Sequence, residues 1–201
     1  MIAVLDYDAG NTKSVVKALE ALGEKAELTR SPEVIRNADK VVLPGVGVFG
    51  DAMEKLEKYG LKDLVYETVR EDKPFLAICV GLQLLFDSSE ESPGAKGLGI
   101  FPGKILRIPS SEGLKVPQIG WNSLHLKRDS RLFHGIGEGA FVYFVHSYYL
   151  YAEEPDIVTA TTEYGTHIHA AVERGNIFAT QFHPEKSSAT GLQILKNFLE
   201  I

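Results

Sequence analysis

The first half of the chain alternates short apolar runs with segments of helical periodicity, and this alternation constrains the fold more than any other feature. Apolar runs predict strands at residues 2–5, 25–29, 40–43 and 75–79. Helical spacing of apolar residues predicts helices at residues 15–22, 51–58 and 63–70. Strands that alternate with helices indicate a parallel sheet with helices on both faces.

After about residue 97 the pattern changes to shorter runs rich in aromatic and β-branched residues. These runs predict antiparallel strands that extend the sheet, at residues 105–108, 120–126, 141–149, 158–162, 167–173 and 177–182. A last helix is expected at residues 191–199, and residues 109–113 are expected to form an exposed loop. The predicted fold class is α/β: a three-layer, open, mostly parallel central sheet with helices on both faces and an antiparallel extension. With 201 residues and no linker or repeat, we expect a single domain over residues 1–201.

Composition limits the classes of partner. The net charge of -6 argues against a nucleic-acid partner, which would require clustered basic residues. The longest nearly continuous apolar stretch, residues 75–86, is shorter than the roughly 20 residues of a membrane span, so no membrane association is expected. A lone cysteine, Cys79, has no partner for an internal disulfide, which favours a reducing compartment, the cytosol.

A glycine-rich segment follows the third predicted strand and reads Gly45-Val46-Gly47-Val48-Phe49-Gly50. This G-x-G-x-x-G pattern suggests dinucleotide binding, but such a fingerprint normally follows the first strand and needs an acidic residue at the end of the next one. Here the next strand ends in Cys79. Glycine also allows a backbone N–H to approach a developing negative charge closely. A glycine-rich turn without chemistry remains the alternative.

Cys79 lies between an apolar strand and an apolar helix, which is the arrangement of a nucleophile elbow. Ala77 and Gly81 supply small residues on either side of the turn. A position at a strand's carboxyl end and a helix's amino terminus favours the thiolate. The alternative is a buried cysteine that only packs in the core.

A second candidate segment, near the carboxyl terminus, contains His183-Pro184-Glu185. Proline biases the residue before it toward an extended conformation, so the side chains of His183 and Glu185 can lie on the same side. Glu185 could then fix the tautomer of the ring. A base beside a thiol, itself oriented by a third group, is the general arrangement for covalent catalysis by cysteine. The other histidines lack metal-ligand spacing with a cysteine.

Three motifs, taken together and in this order, resemble the class I (triad) glutamine amidotransferase domain. They are Pro44-Gly45-Val46-Gly47, Ala77-Ile78-Cys79-Val80-Gly81-Leu82-Gln83 and Phe182-His183-Pro184-Glu185. The resemblance covers essentially the whole chain and implies the flavodoxin-like, three-layer fold of that family. One departure is Ala77, where the family usually has glycine.

The resemblance also implies a role for each matching residue. Cys79 becomes the nucleophile on the glutamine amide, His183 the acid and base, and Glu185 its orienting group. The backbone of Val46, Gly47 and Val80 becomes the oxyanion hole. The positions that hold glutamine become Gln83, Glu91, His146, Ser147 and Tyr148. Alternatives stay open: Gln83 could cap a helix, and residues 143–149 could serve sheet packing. No cofactor and no metal are implied.

Further motifs narrow the resemblance to glutaminase subunits that supply ammonia to a cyclase of histidine biosynthesis. They are residues 44–50, 83–86, 89–91, 97–99, 117–122, 143–148 and 181–187. The implied partner is a (β/α)8 cyclase subunit, in a heterodimer, that takes ammonia through its barrel. Trp121 is either an interface anchor or a core residue.

Other functions remain possible at this stage. A glutaminase subunit of the pyridoxal phosphate synthase type would share the chemistry but differ in acceptor. A cysteine hydrolase or peptidase would cleave esters or peptides, and a nucleotide-binding module would need no thiol. Gln83 and Glu185, beside the elbow and in the His-Pro-Glu motif, disfavour the hydrolase.

Overall fold

The computed structural model describes residues 1–127 and 130–201. The strands in these ranges are β1 (Ile2–Leu5), β2 (Ala26–Thr29), β3 (Lys40–Leu43), β4 (Phe75–Ile78), β5 (Ser88–Ser89), β6 (Gly103–Arg107), β7 (Gln118–Ser123), β8 (His125–Leu126), β9 (Phe141–His146), β10 (Tyr148–Ala152), β11 (Val158–Glu163), β12 (His167–Arg174) and β13 (Ile177–Thr180). The α-helices are α1 (Thr12–Ala21), α2 (Pro32–Asn37), α3 (Phe49–Lys58), α4 (Leu61–Arg70), α5 (Val80–Leu84) and α6 (Ser188–Leu199).

The main sheet has the strand order β2-β1-β3-β4-β13-β12-β10-β6-β5. The first five strands of this order run parallel, and β12, β10 and β6 then continue the sheet in antiparallel fashion. Strands β1, β4 and β13 are buried along their whole length, as expected where helices cover both faces of a parallel sheet. The predicted α/β class with an antiparallel extension is confirmed.

The helices divide into two groups according to their contacts. Helix α1 contacts β1, β2 and the turn at Pro184–Lys186, against which α6 also packs. In the second group, α4 contacts both α2 and α3, and α3 also contacts α5. The chain adds β2 on one side of β1 and then β3 on the other side. Because crossovers between parallel strands are right-handed, this change of direction puts the two groups of helices on opposite faces of the sheet.

Two predicted strands were wrong in extent. The run at residues 141–149 divides at Ser147: β9 pairs with β7 in a separate two-stranded sheet, while β10 pairs with β6 and β12 in the main sheet. The run at 120–126 likewise divides into β7 and β8, and β8 pairs with β11. Both divisions occur without glycine or proline at the break, so composition gave no signal for them. The loop at residues 109–113 is exposed, as predicted.

Helix α2 was not predicted, although its first turn carries recognisable signals. Ser31 caps it by accepting a hydrogen bond from the Val34 N–H at 3.4 Å, and Pro32 occupies the first turn. Within the described ranges, no helix is both long enough and apolar enough to cross a bilayer.

Candidate active site

The candidate site forms where three neighbouring parallel strands end. Strand β4 lies between β3 and β13, so the segments that follow these three strands meet at one edge of the sheet. They carry residues 44–47, Cys79 and residues 181–183. The Cys79 N–H donates a hydrogen bond to the Thr180 carbonyl at 2.7 Å, which continues the pairing of β4 with β13 as far as Cys79.

The backbone at Cys79 is strained in the way an elbow requires. Cys79 has φ 55° and ψ -109°, outside the regions that non-glycine residues normally occupy. Gly81 allows the tight turn because a methyl group there would lie 2.2 Å from the Leu43 carbonyl oxygen. Ala77 is fully buried beside Leu43 and Ala179, so the strand accommodates its methyl group.

His183 and Glu185 form a buried pair. Nδ1 of His183 lies 2.8 Å from Oε1 of Glu185, and their side chains are 1% and 0% exposed. His183 is extended, with φ -99° and ψ 98°, as expected before Pro184. A 3₁₀ turn at Pro184–Lys186, rather than continued strand, then brings the carboxylate back to the ring.

The Ser187 hydroxyl fixes this turn to strand β9. It donates to the His183 carbonyl at 2.6 Å and accepts from the Tyr143 N–H at 2.9 Å. The His183 N–H in turn donates to the Tyr143 carbonyl at 3.0 Å. Two of these hydrogen bonds hold the backbone of His183 directly, and the third ties Ser187 to β9.

The charges around His183 favour its protonated form. Burial lowers the pKa of His183, but the neighbouring Cys79 and the Glu185 carboxylate outweigh burial and raise it to about 10. Because Nδ1 faces Glu185, Nε2 is left for the thiol side of the ring. Within the described residues Nε2 makes no hydrogen bond, and the influence of Cys79 on the pKa of His183 shows that the two side chains are neighbours.

Asn11 and Tyr7 support the site but were not found from the sequence. The Asn11 amide donates to Oε1 of Glu185, from a backbone with φ 70°. The buried Tyr7 hydroxyl donates to the Pro44 carbonyl at 2.6 Å. Burial, followed by the charge at Cys79, raises the pKa of Tyr7. Nothing in the local sequence marks Tyr7 or Asn11 for these contacts.

A cavity of about 170 Å³ opens beside Cys79. The structure brings to its wall every residue predicted for the oxyanion hole or for glutamine, together with Val145. They are Val46, Gly47, Val80, Gln83, Glu91, His146, Ser147 and Tyr148. Residues 1–127 and 130–201 contain no group of three or more His, Cys, Asp or Glu side chains that could hold a metal ion.

One predicted oxyanion donor is occupied. The Val80 N–H donates to the Gly45 carbonyl at 3.3 Å, so in this conformation the glycine segment presents an acceptor, rather than a donor, to the elbow. Gly45 has no room for a side chain, because a methyl group there would lie 2.4 Å from the Tyr7 hydroxyl. Gly47 has φ 109°, a conformation that favours glycine.

Gln83 and Glu91 each make a contact that ties the cavity wall together. Nε2 of Gln83 donates to the Tyr148 carbonyl and to Oε1 of Gln181, both at 3.1 Å, so its side chain does not cap a helix. Oε2 of Glu91 accepts from the Phe49 N–H at 2.9 Å, where helix α3 begins.

His146 is buried in the second wall of the cavity. Its Nδ1 lies 2.9 Å from the Tyr148 carbonyl oxygen, and its Nε2 lies 2.9 Å from Oε1 of Gln118. Burial lowers the pKa of His146 to about 4. Ser147 holds the same wall to the main sheet, since its carbonyl accepts from the Ile108 N–H at 2.9 Å.

Comparison with known proteins gives a consistent result. The model of the family "Glutamine amidotransferase class-I" matches residues 3–201. The chain is 50% identical over 203 residues to the imidazole glycerol phosphate synthase subunit HisH of Methanothermobacter thermautotrophicus, with 100% of this chain and 98% of that one covered. It is 49% identical over 200 residues to the HisH subunit of Moorella thermoacetica, with 100% and 94% covered.

Solved structures share the fold. The crystal structure of a glutamine amidotransferase superposes with a TM-score of 0.76 at 22% identity, over 99% of this chain and 97% of that one. The chain therefore belongs to the glutamine amidotransferase class-I family, in the group formed by imidazole glycerol phosphate synthase HisH subunits.

The buried His146 predicts a pH dependence of stability. In the unfolded chain His146 takes up a proton near pH 6.5, whereas in the folded protein it resists protonation until about pH 4. The contribution of neutral His146 to the free energy of unfolding is therefore present above pH 6.5 and is lost as the pH falls from 6.5 toward 4. Between pH 7 and pH 5, the free energy of unfolding should fall by about 2 kcal/mol less in His146→Gln than in the wild type.

Urea denaturation at several pH values measures this difference. The exposed His134→Gln variant controls for the simple loss of an imidazole. Equal pH slopes for wild type and His146→Gln would contradict the prediction.

Proposed function

We propose that this chain is the glutaminase subunit of an imidazole glycerol phosphate synthase. It hydrolyses glutamine to glutamate and ammonia through a thioester on Cys79. The observation that carries the proposal is the convergence, at one strand edge, of a strained cysteine with a buried histidine–carboxylate pair beside a cavity. We also propose that residues 1–201 form one such domain and that it works in the cytosol, where a free thiol is stable.

The chemistry uses three side chains in sequence. The Cys79 thiol gives its proton to His183 and attacks the amide carbon of glutamine. His183 then passes that proton to the departing nitrogen, ammonia leaves, and a thioester remains. Water, deprotonated by His183, attacks the thioester to release glutamate. Glu185 keeps the Nδ1 proton in place, which leaves Nε2 for each transfer.

Glutamine enters the cavity with its amide toward the sulfur. The carboxylate of Glu91, already oriented by the Phe49 N–H, offers negative charge for the α-ammonium group. His146, Ser147 and Tyr148 supply the opposite wall. Gln83 has both amide N–H groups engaged, so toward glutamine it offers its carbonyl oxygen.

The oxyanion hole requires a change in the glycine segment. The Gly45 carbonyl and the Val46 N–H belong to one peptide plane, so rotating that plane would release the Val80 N–H and turn the Val46 N–H inward. Gly47 lies on the other side of Val46 and allows the adjustment. Each oxyanion donor is typically worth about 3 to 4 kcal/mol of barrier. An isolated chain in the observed conformation lacks this stabilisation.

A partner surface adjoins the cavity. On β7 and β9, the apolar and aromatic residues that share one face are Ile119, Trp121, Phe141, Tyr143 and Val145. Ile119, Trp121 and Phe141 are 64%, 50% and 57% exposed, so Trp121 is not a core residue. Val145, on the same face, lines the cavity. An exposed apolar face that runs into a site releasing ammonia fits a subunit that receives the ammonia.

The proposed partner is a (β/α)8 cyclase subunit, which forms a heterodimer with this chain and takes ammonia through its barrel. There, ammonia and a phosphoribulosyl formimino aminoimidazole carboxamide ribonucleotide give imidazole glycerol phosphate and an aminoimidazole carboxamide ribonucleotide. The relatives' description as synthase subunits supports such a partner.

Cys79→Ser tests the nucleophile. The variant, mixed with the cyclase, should lose glutamine-dependent synthesis by at least about 1,000-fold, because the alcohol is a far weaker nucleophile than the thiolate. Synthesis from added ammonia should continue at the wild-type rate and serves as the control. Glutamine-dependent synthesis that survives the substitution would refute the assignment.

Because the Val80 N–H is already hydrogen-bonded to the Gly45 carbonyl, we predict that the partner activates glutamine hydrolysis. The isolated chain should hydrolyse glutamine at least about 100-fold more slowly than the complex with cyclase and its ligand, the loss expected for one missing oxyanion donor. Glutamate release measured with and without the cyclase tests this. Full turnover by the pure chain would contradict it.

Trp121→Ala tests the partner surface. Loss of this large exposed ring should weaken binding of the cyclase by about 30-fold or more, as expected of an interface anchor. Tyr151→Ala removes an aromatic side chain that is similarly exposed, at 53%, but lies outside the β7–β9 face, and should change affinity less than threefold. Calorimetric titration distinguishes the two variants, and equal affinities for them would exclude this face.

A further inference from the structure

The side chain of Gln181 touches the sulfur of the proposed nucleophile. Gln181 follows β13 directly, is fully buried, and has its Nε2 3.7 Å from Sγ of Cys79. Its Oε1 accepts from Nε2 of Gln83 at 3.1 Å. The sequence predictions assigned no role to Gln181.

The direction of the Gln181 amide follows from its neighbours. Gln83 donates one N–H to the Tyr148 carbonyl, which can only accept, so the position of the Gln83 nitrogen is fixed. The second N–H of Gln83 needs an acceptor and finds Oε1 of Gln181. The amide of Gln181 must therefore turn its NH₂ group toward the sulfur.

The other groups around the sulfur make this donor important. The Val145 carbonyl oxygen lies 4.0 Å from Sγ and can accept a hydrogen bond from the thiol, but it repels the thiolate. The titratable side chains nearby are His183, backed by Glu185, then Tyr7 across the glycine segment, His146 beside His183, and Glu91 and Tyr148 in the cavity wall. Among these, His183 supplies a hydrogen-bond donor to the sulfur, but the same ring must also transfer protons during the reaction. The amide of Gln181 supplies one that never changes charge.

We infer that Gln181 is a further catalytic residue, whose amide N–H stabilises the Cys79 thiolate and which Gln83 holds in the required orientation. The same hydrogen bond would act again when the thioester is hydrolysed. The C–S bond then breaks, its electron pair returns to sulfur, and the amide N–H stabilises the thiolate that forms. This consequence for turnover rests on the proposed function. The hydrogen bond to the thiolate does not.

Alkylation by iodoacetamide tests the inference without glutamine. Cys79 is the single cysteine in the sequence, so uptake of one label reports on this sulfur alone. The alkylation rate is measured against pH on the full chain, alone and in complex with the cyclase. Gln181→Glu retains an acceptor for Gln83 but replaces the donor facing the sulfur, and Gln181→Met removes both groups at similar size. Thr180→Val removes a buried hydrogen bond to the Phe182 carbonyl, one residue away, without touching sulfur.

Gln181→Met should alkylate about tenfold more slowly at pH 7, with the midpoint of the pH profile about one unit higher, as expected for the loss of one hydrogen bond to a charged group. Gln181→Glu should be slower still, because its carboxylate also repels the thiolate. Thr180→Val should stay within twofold of the wild type. If Gln181→Met does not fold, as judged by thermal denaturation, the isosteric Gln181→Glu decides. A wild-type profile for Gln181→Glu would overturn the inference and leave Gln181 as a brace for Gln83. Failure of glutamine turnover in the wild-type complex would count against the proposed function alone.

Discussion

The register of three parallel strands is the constraint on which this site depends. Because β3, β4 and β13 lie side by side with their carboxyl ends level, the chain segments after them have to meet. The sheet is buried on both faces there, so a slip of one strand would move its side chains to the opposite faces and break their close packing. The hydrophobic core therefore fixes the distance between cysteine and histidine, although they are separated by more than 100 residues in sequence. The strain at Cys79 persists because this packing surrounds it.

The side chains of the candidate site are held by contacts that serve more than one of them. Ser187 joins the histidine turn to β9, and β9 also carries Val145 and His146 in the cavity wall. Gln83 links that wall to Gln181, which reaches the sulfur. Polar networks of this kind are satisfied as a unit, and a partly satisfied one is costly. The cysteine, the histidine and its carboxylate partner are consequently joined to the cavity wall by one connected set of contacts.

Local patterns in the sequence predicted the alternating strands and helices, the elbow at Cys79 and the extended His183, because each depends on residues a few positions apart. They could not reveal contacts between distant segments. Asn11 reaches Glu185 because helix α1 packs against the turn at Pro184–Lys186. Tyr7 reaches Pro44 because the sheet places β1 beside β3. The division of residues 141–149 between two sheets was missed for the same reason, since its two halves have similar composition and differ only in their partners. The occupied Val80 N–H depends on the orientation of one peptide plane, which composition does not specify.

The most direct test of the account is covalent labelling of the complex by a chloroketone analogue of glutamine, followed by intact mass measurement. The account predicts one adduct on Cys79, formed rapidly, suppressed by glutamine, and strongly slowed in His183→Ala. A labelling rate unaffected by both glutamine and the loss of His183 would contradict it, since the sulfur would then be neither in the glutamine site nor activated by that imidazole.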